Sequence, residues 1–260
     1  MTTSYQSILW ERDEGILTLT LNRPEKRNPI GPQSLGELVY ALETAKADPD
    51  SRVVIITGAG TVFSAGGDLS MLSGSAQAES AIPPASLVTL LPSMHALGKP
   101  IIAMVNGHAL AGGLGLMVAC DLVVASDAAT FGTTEIKVGL WPMMITAEIT
   151  RNIGRKKTLE LMLTGKRIDA VEAERIGLIN QSVPAEELVG TTRALAEQLA
   201  AQSPSTLSKG LTSFYATQDL EFETALGRLE AGLADVLSTE DAREGLMAFL
   251  QKRKPVWKGR

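Results

Sequence analysis

The chain has 260 residues, enough to bury a substantial core in one large domain or a domain with a small appendage. Hydrophobic residues make up 45% and charged residues 20%, an ordinary globular balance, and the net charge of −5 argues against nucleic acid as the main partner. The single cysteine, Cys120, excludes an internal disulfide framework; with no signal peptide and no apolar run of membrane-spanning length in the sequence, a cytoplasmic protein with no membrane attachment is expected.

The first predicted element is a strand. "GILTLTLNRP" (15–24) alternates, is rich in β-branched residues and stops at Pro24. A helix follows over "PQSLGELVYALETAKADPD" (32–50), where Leu35, Leu38, Val39, Leu42 and Ala45 recur at helical spacing. Pro32 suits its first turn and Asp48-Pro49 ends it. "RVVIITG" (52–58) is a continuous apolar run closed by glycine, the pattern of a buried parallel strand. Residues 73–86 are small, polar and proline-containing, which predicts a loop or lid. "KPIIAMVNG" (99–107) and "CDLVVAS" (120–126) read as two more buried strands. From about residue 144 the periodicity is mostly helical, interrupted by the short strand "LINQSV" (178–183). The expected fold class is α/β, with an α/β core over 1–200 and a helical C-terminal region over 201–260.

Two stretches echo each other. "VVIITGAGTVFSAGGDL" (53–69) and "IIAMVNGHALAGGLGL" (101–116) each run from an apolar strand through a glycine and a short loop to Ala-Gly-Gly, starting at Ala65 and Ala111. Glycine permits positive φ and leaves no side chain between a backbone N–H and a ligand. Two such turns converging would place two N–H donors on one oxygen, an oxyanion hole. The same glycines would also serve close packing of strand on helix, and from these stretches alone both uses stand. Neither matches a dinucleotide fingerprint, and no Walker lysine follows. Two histidines and one cysteine give no metal-ligand cluster, so no metal site is expected.

Taken together, "NRPEKRNPI", the two glycine stretches, "CDLVVASDAATFGTTEIKVGL", "LTGKRIDAVEAERIGLINQSVP" and "EGLMAFLQKRKP" resemble the enoyl-CoA hydratase/isomerase family, the crotonases, from about residue 15 to the end. The resemblance implies a spiral of strand-strand-helix units and C-terminal helices that build homotrimers, often paired into dimers of trimers. It implies an acyl-CoA thioester as substrate, with coenzyme A part of that substrate and no separate cofactor. The N–H groups of Gly67 and Gly112 are then the oxyanion-hole donors, and Glu135 in "FGTTEIKVGL" is the acid/base.

Two family positions depart from the common pattern. Gly115 stands where many hydratases carry a first glutamate. Met143 stands where some isomerases carry a carboxylate. Glu148 is either a solvated helix residue or a second carboxylate that swings toward the pocket, and Asp68 is read as a brace for its turn. The resemblance places coenzyme A along Arg23, Lys26 and Arg27, along Ala65, Gly67, Asp68, Leu69 and Ser70, and near Lys252. The expected activity is hydration of a 2-enoyl-CoA. The alternatives are a Δ3-Δ2 enoyl-CoA isomerase with Glu135 as its sole acid/base, or a weakly active acyl-CoA-binding paralogue.

Overall fold

The structure, a computed structural model, describes residues 5–68 and 80–260. Its strands are β1 Ile8–Asp13, β2 Ile16–Leu21, β3 Val53–Gly58, β4 Val62–Ser64, β5 Ile101–Val105, β6 His108–Leu110, β7 Leu122–Ser126, β8 Thr130–Gly132, β9 Ile168–Asp169 and β10 Gln181–Val183. Its helices are α1 Pro32–Ala47, α2 Leu87–His95, α3 Gly112–Val118, α4 Ile145–Thr164, α5 Ala170–Arg175, α6 Leu188–Ala200, α7 Pro204–Thr217, α8 Phe222–Leu237 and α9 Glu240–Leu250.

The strands form two sheets, β1-β2-β3-β5-β7-β10 and β4-β6-β8-β9. The chain visits them in turn. Each of the pairs β3/β4, β5/β6 and β7/β8 gives its first strand to the large sheet and its second to the small one. β3, β5 and β7 are parallel neighbours, and so are β4, β6 and β8. The echo in the sequence is therefore a structural repeat: β3-β4 and β5-β6 each deliver one Ala-Gly-Gly corner. This is the predicted spiral of strand-strand-helix units.

Burial explains the strand sequences. Every residue of β3 is buried, since it lies inside the sheet with both faces covered. One face carries the main core, which includes Leu17, Leu19, Val54, Ile56, Phe63, Ala103 and Leu116. The other face, with Ile16, Val53, Ile55, Ile102 and Val124, meets Leu188 and Ala196 of α6. The edge strand β1 pairs only with β2, antiparallel, and most of its residues are at least partly exposed.

Three stretches are specified further by the structure. Glu135 lies in a 3₁₀ turn over Glu135–Val138, closed by Gly139 at φ 76°. The helix α4 is broken at Gly154, which adopts φ 70° and ψ 167°, so "RKKTLELMLTG" begins its second half. Of the proposed loop at 73–86, residues 73–79 lie outside the described residues; 80–85 form no helix or strand before Ser86 opens α2.

The helices α7, α8 and α9 pack on one another. No residue of α8 is buried, and Phe222, Leu226, Leu229, Leu233 and Leu237 leave an apolar stripe exposed at helical spacing. Among the described residues no helix is long and apolar enough to cross a membrane.

Candidate active site

The two glycine corners touch. Gly66 has φ 99°, and a Cβ built on it would lie 2.6 Å from the Cβ of Ala111 and 2.9 Å from the Leu110 carbonyl oxygen. Gly113 is as tight against Ser64, at 2.6 Å. These two glycines serve packing. Their neighbours do not: a Cβ on Gly67 would meet nothing within 4 Å, and one on Gly112 would meet only the Gly67 nitrogen, at 3.8 Å. Each Ala-Gly-Gly corner thus contains one glycine needed for contact and one facing open space.

Neighbouring bonds fix the direction of the Gly67 amide. Ile30 N–H donates to the Gly66 carbonyl at 2.7 Å, and Asp68 N–H donates to the Ile30 carbonyl at 3.0 Å. Gly67, between them, is left facing the other way. Gly112 is the first residue of α3, a position with no intrahelical acceptor. Ala111 before it is held at φ 50°, an uncommon conformation for a residue with a Cβ, by its N–H bond to Gly132. Among the described residues, neither the Gly67 nor the Gly112 N–H has a protein acceptor.

Both amides border a cavity of about 530 Å³, and Glu135 borders it too. Apolar residues line much of the rest, among them Leu35, Leu87, Leu140, Trp141, Met143 and Ile145. The Oε2 atom of Glu135 is buried with no hydrogen-bond partner. Burial pushes its carboxyl above the usual range, and its own backbone N–H offsets this in part. A proton-accepting oxygen with no competing donor, in apolar surroundings, suits acid/base work nearer neutral pH.

The site has no second such carboxylate among its described residues. Asp68 also lines the cavity, but its Oδ2 is 2.8 Å from the Arg23 guanidinium. Asp68 thus braces the segment after β2, and Arg23 is engaged there. Glu148 is neither solvated nor aimed at the cavity. It is 9% exposed and lies 3.7 Å from His95 Nε2, because this face of α4 packs toward the end of α2. Nor does a side chain at position 115 have room to point inward: a Cβ there would fall 2.0 Å from Ile145 Cγ2. His108 is hydrogen-bonded through Nδ1 to Thr130 Oγ1, at 2.9 Å, between β6 and β8.

The other predicted residues are more scattered. Ala65 lines the cavity beside Gly67. Lys26 and Arg27 are exposed on the turn after β2. Lys252 is exposed just past α9 and does not border the cavity. Leu69 and Ser70 lie outside the described residues.

Asn28 is a residue the sequence reading passed over. It is buried at φ 51°; its Nδ2 donates to the Ala59 and Val62 carbonyls, and its Oδ1 accepts from Arg23 N–H. Its own carbonyl accepts from Ser64 Oγ at 2.8 Å. Asn28 therefore ties the "RPEKRNP" turn to the first glycine corner. Asn tolerates left-handed backbone, and its motif "KRNP" was the available signal. Asn28→Ala is expected to cost about 3 kcal/mol, from three lost hydrogen bonds and a strained alanine. Urea denaturation measures this; a wild-type midpoint would contradict it.

The family profile described as enoyl-CoA hydratase/isomerase matches residues 11–260. The chain is 34% identical over 258 residues to the 2,3-dehydroadipyl-CoA hydratase of Escherichia coli strain K12, covering 97% of this chain and 99% of that one. It is 35% identical over 249 residues to enoyl-CoA hydratase domain-containing protein 3, mitochondrial, of Rattus norvegicus, covering 95% of this chain and 82% of that one. Among solved structures it is similar to the enoyl-CoA hydratase of Bacillus anthracis, with a TM-score of 0.89, 31% identity, and coverage of 98% and 100%.

Proposed function

The chain belongs to the enoyl-CoA hydratase/isomerase family and has the crotonase fold, and from that premise we propose that it adds water across the double bond of a 2-enoyl-CoA thioester. The observation that carries this reading is the meeting of two amides without acceptors, those of Gly67 and Gly112, in one cavity with the half-buried Glu135, whose Oε2 has no hydrogen-bond partner. The thioester oxygen accepts from both amides. As water adds at the β-carbon, negative charge moves onto that oxygen, and preorganised N–H donors stabilise it; one such donor contributes on the order of 3 kcal/mol. Glu135 takes the proton from the attacking water and delivers a proton to the α-carbon. One carboxylate thus serves both half-steps, and no net proton is gained or lost.

Coenzyme A is assigned to the rim formed by Arg23, Lys26 and Arg27 and by residues 65–70, with Lys252 reaching it in a neighbouring copy. The exposed apolar stripe of α8 is assigned to contact between copies of the chain, as trimers or dimers of trimers. Leu229→Glu with Leu233→Glu is then expected to give a monomer by light scattering, where the unaltered protein has three or six times that mass. A monomeric unaltered protein would contradict this.

One observation favours a second reading. With Ile145 filling the space beside Gly115, Glu135 is the lone unpaired carboxylate among the described cavity residues. That also suits a proton shuttle converting a 3-enoyl-CoA into its 2-enoyl isomer. Crotonyl-CoA and a 3-enoyl-CoA separate the readings. Hydration removes the absorbance of the conjugated thioester, and isomerisation creates it. Binding of both without turnover would leave a non-catalytic acyl-CoA-binding protein.

A further inference from the structure

We propose that Ile145, seated on Gly115, sets the size of the acyl group this chain accepts, and that this group is an uncharged hydrocarbon. The inference rests on the reading that the acyl chain of a CoA thioester enters the cavity beside Glu135.

The position of Ile145 comes from two helices. It is the first residue of α4, it is 2% exposed, and it lines the cavity. Its Cγ2 occupies the point, to within 2.0 Å, where a side chain at 115 would begin. Gly115 stands three residues after Gly112 on α3, about 4.5 Å along the helix axis at 1.5 Å per residue. Ile145 thus borders the same cavity as the Gly112 amide, about one helix turn along α3 from it. An acyl chain whose thioester oxygen sits on Gly112 and which runs along this wall meets Ile145. The fit of Ile145 to Gly115 is close, so the wall cannot yield by moving into position 115. Met143 and Met144, which also line the cavity, are 68% and 48% exposed; they are flexible and open to solvent where Ile145 is fixed.

No Lys, Arg or His lines the cavity among the described residues, and its two acids are Asp68 and Glu135. Residues 69–79, "LSMLSGSAQAE", contain no cationic residue either, and neither do residues 1–4, "MTTS". A carboxylate on an acyl chain held inside the cavity would find no countercharge among the described side chains that line it and would share the cavity with Glu135. Burying such a group unpaired is strongly unfavourable.

The test is a chain-length profile. kcat/KM is measured on straight and branched 2-enoyl-CoA substrates for the unaltered enzyme, Ile145→Ala and Ile145→Val. Ile145→Ala removes three carbons from the wall. The ratio of kcat/KM for a longer or branched substrate to that for crotonyl-CoA is expected to rise about ten-fold or more, with Ile145→Val moving it less in the same direction. The double variant Gly115→Ala/Ile145→Ala puts a methyl group back into the opened space and is expected to return the ratio toward the unaltered value. A general loosening of the fold would not produce that reversal. The unaltered enzyme is expected to use an ω-carboxylated enoyl-CoA at least about 100-fold less well than its uncharged isostere. Profiles that coincide for all variants would overturn the role of Ile145, and equal use of charged and uncharged chains would overturn the uncharged class. An unaltered protein that turns over no enoyl-CoA would instead remove the underlying functional reading.

Discussion

Glu135→Gln lowers turnover of a 2-enoyl-CoA by about 10²- to 10⁴-fold, the range for loss of a positioned acid/base, while KM changes little. Glutamine keeps the shape and loses the proton transfer. The amides of Gly67 and Gly112 remain, so thioester binding remains. A thermal-stability comparison separates chemistry from folding, and its sign follows from the raised carboxyl pKa. A group whose folded pKa lies above its unfolded value contributes stability that is present below the unfolded pKa and lost as pH rises through the folded one. The unaltered enzyme therefore loses stability relative to Glu135→Gln as pH rises from the ordinary carboxylate range through the raised pKa. At the acid end of that range the two melt alike; at pH 8 the glutamine variant melts higher. The pH–rate profile of the unaltered enzyme rises over the same window, because hydration needs the ionised base. Unchanged turnover in Glu135→Gln would reject its role, and a variant that melts lower at pH 8 would reject the desolvation argument.

The second large effect separates adjacent glycines. Gly66→Ala is expected to cost about 3 kcal/mol or more: the backbone at φ 99° strains any residue with a Cβ, and the new methyl group falls against Ala111 and the Leu110 carbonyl, neither of them a flexible side-chain end. In a chain of this size that lowers the melting temperature by roughly 6–12 °C. Gly67→Ala is expected to leave stability nearly unchanged, since its Cβ meets nothing within 4 Å, yet to lower kcat/KM because that methyl group enters the cavity. Thermal melts and steady-state kinetics on both variants check this. Equal melting temperatures would mean that the two corners are not locked together at Gly66.

How much of this was legible in the sequence depended on the length of each signal. β3, β5 and β7 are continuous apolar runs because both faces of the large sheet are covered, and each was readable as a buried parallel strand. β4, β6 and β8 have three residues each, too few to show a period; only their position before each turn marks them. β1 carries "WERD" on a sheet edge and lacks a clean alternation of apolar and polar residues. In α7 only Ser205 and Thr217 are buried; Leu207, Leu211 and Phe214 recur at helical spacing but remain at least partly exposed, so their pattern does not mark a core face.

The site divided along the same line. Its glycines and Glu135 are contiguous motifs and could be named. Which glycine packs and which faces the cavity depends on contacts between Ala65–Gly67 and Leu110–Gly113, almost fifty residues apart, and no local pattern encodes that. The burial of Glu148 against His95 and the seating of Ile145 on Gly115 are likewise long-range packing. Read alone, Gly115 marks only a missing side chain; in three dimensions it marks a place already filled.

The central claim is that the Gly67 and Gly112 amides share one thioester oxygen. A crystal structure of the Glu135→Gln protein with a bound 2-enoyl-CoA tests it most directly. The oxygen is predicted within about 3.2 Å of both nitrogens, the normal hydrogen-bond range, with the α-carbon beside residue 135. A thioester bound with its oxygen on neither amide would contradict the account.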